Sequence, residues 1–229
     1  MEFNNLGVNK ITKYCVDIVM CIDATGSMEH IIDEVKANAL SFHDKFKEKM
    51  EEALKVVDKV RVKVIAFRDY AVDSEPMLVS KFFTLPEEND QFKNFVEGIE
   101  AIGGGDLPEN GLEALALALK SDWTKDGDIR RHIVLMYTDA EAKPLGVDNP
   151  TLENGETLPK SFGELQELWE GQSSIMERRA KRILLFAPDV EPWNNFVTWS
   201  FVEHTASEAG KGLTEIDMSQ CIDLLVKSV

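Results

Sequence analysis

The sequence predicts an α/β protein built on a doubly wound, mostly parallel sheet of six strands flanked by helices. Short apolar runs rich in β-branched residues alternate along the chain with longer stretches in which apolar residues recur every three or four positions. The first pattern is typical of buried strands and the second of amphipathic helices, and their alternation favours parallel strands joined by right-handed crossovers. Because the chain has 229 residues, 44% of them hydrophobic, we assign residues 1–229 to a single domain.

The predicted strands are short apolar runs. The first is interrupted only by Asp17, which indicates a buried, central position, whereas Lys81–Leu85 is expected at an edge of the sheet. The six predicted strands are Cys15–Ile22, Val60–Phe67, Lys81–Leu85, Arg131–Thr138, Arg182–Phe186 and Leu213–Met218.

The predicted helices follow from apolar periodicity and from capping signals. Ser161 and Glu164 form an S-x-x-E capping box, which is typical of the first turn of a helix. The helices predicted in this way are Met28–Val57, Pro86–Ile99, Pro108–Lys120, Ser161–Arg179, Trp193–His204 and Ser219–Val226. Residues 1–14 are left as a lead-in, and residues 140–160, with two glycines and three prolines, are predicted to form a long loop.

The charge and the cysteines exclude several classes of function. Lys and Arg total 25 against 41 Asp and Glu, and the resulting charge of −16 repels phosphate backbones and anionic lipid headgroups. We therefore expect neither nucleic acid nor a membrane as partner. Cys15, Cys21 and Cys221 have no C-x-x-C spacing, and no signal-peptide pattern is present, which favours a soluble, cytoplasmic protein without disulfides.

Acidic and hydroxyl side chains follow the predicted strands at the edge where ligands of parallel sheets bind. Asp23, Thr25 and Ser27 alternate in a tight turn after the first strand, Asp106 follows three glycines, and Asp139 follows the strand that ends at Thr138. Carboxylates and hydroxyls are ligands that Mg²⁺ prefers, and Mn²⁺ or Ca²⁺ accepts similar sets. The sequence therefore predicts a site for a hard divalent cation on this face, beside the long loop 140–160.

Two purely structural alternatives remain open for these residues. Ser27 is also a candidate helix N-cap, with Asp23 as a solvated strand end. Asp106 and Glu109 form a D-x-x-E capping box with Pro108 inside it, so that Asp106 is a candidate cap as well as a candidate metal ligand.

The spacing of these residues resembles that of the von Willebrand factor A (vWA) domain family, whose metal-ion-dependent adhesion site (MIDAS) contains D-x-[ST]-x-S, then a Gly-Gly-x-Thr loop, and later Thr-Asp. Here Asp23, Thr25 and Ser27 match the first motif, Gly103-Gly104-Gly105-Asp106 stands for the second, and Thr138-Asp139 matches the third. The resemblance implies a Rossmann-like fold. It also implies a Mg²⁺ site formed by Asp23, Thr25, Ser27 and Asp106, with Asp139 behind them.

Asp106 departs from the adhesion-type motif, where the family carries Thr, and gives the variant G-G-G-D-x-P-E. A further carboxylate neutralises more of the charge of the cation, which strengthens cation retention and weakens the attraction for an acidic side chain of a partner. Capture of a ligand carboxylate, as in adhesion-type members, is therefore in doubt.

The expected function is that of a metal-dependent protein-binding module and not of an enzyme. For members of the family inside the cell, the resemblance implies an adaptor role, often in an ATPase or kinase assembly. The alternatives are a metal-assisted hydrolase, with Glu109 or Glu141 as the general base, and a scaffold whose site stays empty. Arg68 and Asp69 end the neighbouring strand and are outer candidates for orienting the loop carboxylates or for a local ion pair.

Overall fold

A computed structural model describes residues 12–104, 108–148, 155, 157–172, 174–211, 213, 223–224 and 227. Within these residues the strands form one seven-stranded sheet in the order β3-β2-β1-β5-β6-β7, with β4 also pairing with β2. The strands are β1 Lys13–Asp23, β2 Val56–Phe67, β3 Met77–Val79, β4 Phe83–Leu85, β5 Ile129–Tyr137, β6 Lys181–Pro188 and β7 Val202–Ser207.

The sheet is mostly parallel. All pairings among β1, β2, β5, β6 and β7 are parallel, and only the short strands β3 and β4 run antiparallel to β2, one after the other along its outer edge. This arrangement confirms the α/β class, the parallel sheet and the edge position of the third predicted strand. The described residues contain seven strands and not six: five match predicted strands, and Met77–Val79 and Val202–Ser207 were not predicted.

The helices cover both faces of the sheet. They are α1 Glu29–Glu52, α2 Asn89–Glu97, α3 Gly111–Leu119 and α4 Phe162–Glu170, with 3-10 turns at Gly26–Met28 and Trp193–Thr198. Alternate residues of β1 enter different core clusters, since Ile18 packs in the cluster with α1 and α2 and Val19 in the cluster with α3 and α4. No helix among the described residues is long and apolar enough to span a membrane.

The C-terminal third differs most from the predicted elements. The predicted helix Trp193–His204 is a 3-10 turn that ends at Thr198, and Val202–Ser207 instead forms β7 beside β6. The edge strand is favoured because Val202–Ser207 pairs in parallel with Ile183–Pro188, and the spacing of the aromatic residues does not reveal this pairing. The predicted strand Leu213–Met218 and helix Ser219–Val226 lie almost entirely outside the described residues.

The other boundaries shift by a few residues. The first helix ends at Glu52 and not at Val57, because Leu54 has a φ of 56° that ends the helix and Val56 already belongs to β2. The fourth helix ends at Glu170, before Gly171, and not at Arg179. The loop at 140–160 and the lead-in at 1–14 are only partly within the described residues.

The register of the three central strands positions the site. Asp23 pairs with Phe67, the last residue of β2, and Ile22 pairs with Tyr137, the last residue of β5. The three strands therefore end at the same level, and the loops that follow them meet at one edge of the sheet.

Candidate cation site

Asp23 lies at the centre of this edge and is fully buried. Its Oδ1 accepts hydrogen bonds from the backbone N (3.0 Å) and the Oγ1 (2.6 Å) of Thr25. Its Oδ2 accepts a hydrogen bond of 2.7 Å from Thr138 Oγ1. Three donors from two loops therefore fix the orientation of the carboxylate.

Ser27 and Asp139 complete the network. Ser27 Oγ donates to Asp139 Oδ1 at 2.9 Å and lies 3.3 Å from Thr25 Oγ1. Thr25 and Asp139 are buried, whereas Ser27 is exposed at the mouth of the site. The structure thus brings together four of the five predicted ligand residues, and the fifth, Asp106, lies outside the described residues.

The structural alternatives for this turn are wrong. Neither Thr25, at the N-cap of the 3-10 turn, nor Met28, at the N-cap of α1, makes a side-chain cap, and Ser27 Oγ bonds Asp139 instead of the helix backbone. Asp23 is buried, so it is not a solvated strand end. The D-x-x-E box does not open α3 either, since that helix begins at Gly111 with Asn110 at its N-cap.

Two carboxylates share this small volume. Burial raises the pKa of Asp23 to about 6; the hydrogen bonds from Thr25 and Thr138 oppose this effect, and the charge of Asp139 adds to it. Buried, adjacent carboxylates are costly unless a cation neutralises them. The electrostatics of the network therefore favour a bound cation.

The glycine loop packs directly against Thr25. Gly26 N donates to Gly103 O at 3.2 Å, and Gly103 and Gly104 have φ values of 71° and 69°. A Cβ at Gly104 would lie 2.8 Å from the Cβ of Thr25. Only glycine combines this conformation with such a close approach.

Among the described residues, Arg68 and Asp69 act on the loops. The hydrogen bonds described for the buried Arg68 go to the backbone carbonyls of Ala24, Glu75 and Glu100, at 3.1, 2.9 and 2.8 Å. Arg68 therefore ties loop backbones together, and no described carboxylate accepts a hydrogen bond from it. Asp69 Oδ1 accepts from Lys143 Nζ at 2.5 Å, so Asp69 does form an ion pair, but with a residue that is distant in sequence.

Sequence reasoning missed three residues that support the site. Thr138 bonds Asp23, Asp73 Oδ2 accepts from Gly104 N at 3.1 Å, and Lys143 pairs with Asp69. Thr138 belongs to the Thr138-Asp139 motif, so this motif was the sequence signal that could have indicated its role. Asp73 and Lys143 lie in loops where no motif indicates them.

Glu109 and Glu141, the two candidate general bases, occupy different environments. Glu109 is 3% exposed, and its pKa is raised to about 8 by burial and by the charges of Asp23, Asp69 and Asp73. The Glu141 side chain is exposed, and only its backbone oxygen contacts Glu109, whose N donates to it at 2.9 Å. Of the two, Glu109 is the one whose carboxylate belongs to the site.

The donor set fits a hard, hydrated cation. Asp23, Thr25, Ser27 and Asp139 offer only oxygen atoms, as Mg²⁺, Mn²⁺ and Ca²⁺ require. Over the part of the chain that the structure describes, no group of three or more His, Cys, Asp or Glu side chains is placed to hold a metal by itself. Hydroxyls and water would therefore supply much of the coordination.

Known proteins share this fold and part of the sequence. Over 129 residues the chain is 29% identical to the alpha-protein kinase vwkA of Dictyostelium discoideum, a match that covers 55% of this chain and 18% of that protein. The pilus adhesin SpaC of Lactobacillus rhamnosus GG superposes with a TM-score of 0.56 at 13% identity, covering 93% of this chain and 30% of SpaC. A von Willebrand factor type A protein from Catenulispora acidiphila gives a TM-score of 0.51 at 16% identity, with coverages of 94% and 43%.

The two structural matches show the fold. The matched segment covers less than a fifth of the length of the kinase. The family itself is shown by sequence. The model of the von Willebrand factor A domain matches residues 17–153, which are more than half of the 229 residues and include both the Asp23 turn and the Thr138-Asp139 pair. The chain therefore belongs to the von Willebrand factor A domain family.

Proposed function

We propose that this protein is a metal-dependent protein-binding module with a MIDAS of the G-G-G-D-x-P-E type. Asp23, Thr25, Ser27 and Asp106 would hold Mg²⁺, or Mn²⁺ or Ca²⁺ in its place, and Asp139 would support them from behind. The observation that carries the proposal is the continuous oxygen network from Asp23 through Thr25 and Ser27 to Asp139. A cation bound there would offer an open coordination position to an oxygen of a partner protein.

The exposure of the network suits binding at its mouth. Ser27 is exposed, while Asp23, Thr25 and Asp139 are buried beneath it. The buried acids would neutralise and retain the cation, and the exposed side would meet the partner. The backbone contacts of Arg68 keep the surrounding loops in place, so that little reorganisation is needed when the partner binds.

We further propose a cytoplasmic adaptor role, with the partner in an ATPase or kinase assembly. The similar segment of an alpha-protein kinase supports a kinase setting, and the fold shared with a pilus adhesin supports binding as the general task. The charge of −16 disfavours nucleic acid and anionic membranes as alternatives.

Titration of Mg²⁺ and of Mn²⁺ by calorimetry tests the cation site. Asp23→Asn keeps the shape of the side chain but removes its charge, and we expect it to lose measurable Mn²⁺ binding. Asp189→Asn is the matched control, because Asp189 follows the neighbouring strand β6 at the same edge but is exposed. Equal binding by wild type and Asp23→Asn would refute the site, provided that circular dichroism shows both proteins folded.

A metal-assisted hydrolase is the second candidate function. Its general base would be Glu109 and not Glu141, because the Glu109 side chain is buried beside the oxygen network. Hydrolysis of p-nitrophenyl phosphate and p-nitrophenyl acetate, with and without Mg²⁺, distinguishes the two functions. Turnover that requires both Mg²⁺ and Glu109 would favour the hydrolase. Absence of turnover in a protein that binds Mg²⁺ would favour the binding module.

A further inference from the structure

Glu109 contacts the glycine loop that packs on the cation-site turn. A Cβ placed on Gly104 would lie 2.9 Å from Glu109 Oε1 and 2.8 Å from the Cβ of Thr25, so the carboxylate and Thr25 lie against the same side of Gly104. The backbone of Glu109 is fixed from the other side, since its N donates to Glu141 O at 2.9 Å and its O accepts from Lys143 N at 2.8 Å. The side chain is thus held toward the site by a rigid backbone.

One oxygen of this carboxylate has no hydrogen-bond partner in the part of the chain that the structure describes. Glu109 is 3% exposed, and its Oε2 is buried and meets no hydrogen-bond partner among the described residues. Water reaches the side chain poorly, and burial of a carboxyl group without a compensating partner is unfavourable. Such a group persists where a ligand compensates for it.

Two described cations near the site, Lys143 and Arg68, make their hydrogen bonds with other groups. Lys143 Nζ bonds Asp69, and all the described hydrogen bonds of Arg68 go to backbone carbonyls. The charges of Asp23, Asp69 and Asp73 act on Glu109 and outnumber the opposing charge of Lys143, which makes no hydrogen bond to Oε2. A cation from solution would complete the neutralisation.

We propose that Glu109 is a further acidic group of the cation site, held for the hydrated cation beside Asp23 and Thr25. This inference rests on the proposed function and gives a role in the cation site to the final Glu of the G-G-G-D-x-P-E segment, which was not among the predicted ligands. Glu109 contributes charge from the side of the glycine loop, and Oε2 accepts from the water shell of the cation. Partners of this kind, behind the direct ligands, change metal affinity by about 10–100-fold.

Mn²⁺ calorimetry and the thermal unfolding of the metal-free protein together test this role. We expect Glu109→Gln to raise the Mn²⁺ dissociation constant at least about tenfold. The same change should not lower the metal-free Tm, because the described residues give Oε2 no hydrogen bond that the change could remove. A side chain that only supports the fold would lower both the Tm and the affinity, so a fall in both would overturn the proposal, as would unchanged affinity.

Glu75→Gln is the matched control, since Glu75 is an exposed glutamate in the loop after β2, and it should bind Mn²⁺ as wild type does. Asp23→Asn distinguishes a failure of the Glu109 role from a failure of the cation site itself. If Asp23→Asn loses Mn²⁺ binding while Glu109→Gln retains full affinity, the cation site stands and the role of Glu109 fails. If wild type binds no Mn²⁺, the proposed function itself fails.

Discussion

Ser27 Oγ donates a hydrogen bond of 2.9 Å to Asp139 Oδ1 and so joins two loops that are 112 residues apart in sequence. A second bond, from Thr138 Oγ1 to Asp23 Oδ2, links the same two loops below it. Both are possible because β1 and β5 are parallel neighbours that end at the same level. The cation site is therefore a consequence of sheet register as much as of any local motif.

Ser27→Ala should weaken Mn²⁺ binding about tenfold or more while changing the free energy of unfolding of the metal-free protein by about 1 kcal/mol or less. Ser27 is exposed, so the loss of its hydroxyl leaves no cavity, but the hydroxyl contacts both Thr25 and Asp139. Ser74→Ala, an exposed serine in the loop between β2 and β3, is the control. Calorimetry and urea unfolding measure the two quantities, and an unaltered Mn²⁺ affinity would argue against a ligand role for Ser27.

Gly104→Ala should destabilise the protein more than Gly155→Ala does. Both glycines have positive φ, 69° and 79°, so alanine costs about 1–2 kcal/mol of backbone strain at either position. Nothing lies within 4 Å of a Cβ at Gly155, whereas a Cβ at Gly104 would overlap Thr25 and add about 1–3 kcal/mol. Urea unfolding gives both values, and equal losses would show that the glycine loop does not press on Thr25.

Lys143→Met should cost about 3 kcal/mol of unfolding free energy, because it leaves the carboxylate of Asp69, 3% exposed, buried without its cation. Removing both charges in Asp69→Asn/Lys143→Met should restore part of that loss, and a double-mutant cycle measures the coupling. Lys13→Met serves as the comparison, since the Lys13–Asp58 pair is 52% and 48% exposed and is screened by solvent. Coupling no larger than that of a surface pair would contradict the structure.

Glu113 makes stability depend on pH. The side chain is 1% exposed, and burial raises its pKa from 4.5 to about 7, with the charge of Asp148 adding to the effect. Since the folded protein holds this proton more tightly than the unfolded chain, the contribution to stability is full below pH 4.5 and is lost as the pH rises through 7.

Between pH 5 and pH 8 the wild type should therefore lose on the order of 3 kcal/mol of unfolding free energy relative to Glu113→Gln, which cannot ionise. Urea unfolding of both proteins at the two pH values checks this. If the difference in unfolding free energy between wild type and Glu113→Gln is the same at pH 5 and pH 8, Glu113 does not titrate in this range.

The sequence alone was sufficient to predict the parallel sheet and the four residues that meet at its edge. Asp23, Thr25 and Ser27 follow an apolar strand at alternate positions, and Asp139 follows another, so their convergence follows from the geometry of parallel strands. The apolar pattern that reveals the strands also reveals the candidate ligands, because these residues stand directly at the ends of those strands.

The supporting residues were beyond sequence reasoning for a physical reason. The Asp69–Lys143 pair joins loops 74 residues apart, and its partners are common surface residue types. Loop conformation decides which charges meet, and no periodicity encodes it. The same limitation explains the wrong helix at Trp193–His204, where the aromatic residues of the 3-10 turn pack inward while pairing with β6 makes the following residues a strand.

Asp106→Thr restores the residue of the adhesion-type motif and tests what the variant motif does. The change removes one negative charge, so Mg²⁺ retention should weaken by about tenfold, while the attraction of the bound cation for a carboxylate should grow. Calorimetry with Mg²⁺, followed by titration of the Mg²⁺-saturated protein with a short Asp-containing peptide, measures both effects. Asp106→Asn removes the charge but not the length of the side chain, and it should share the weaker retention. Stronger peptide binding by both variants than by wild type would identify charge as the property that sets partner choice. Peptide binding that is unchanged in both would show that Asp106 does not control it.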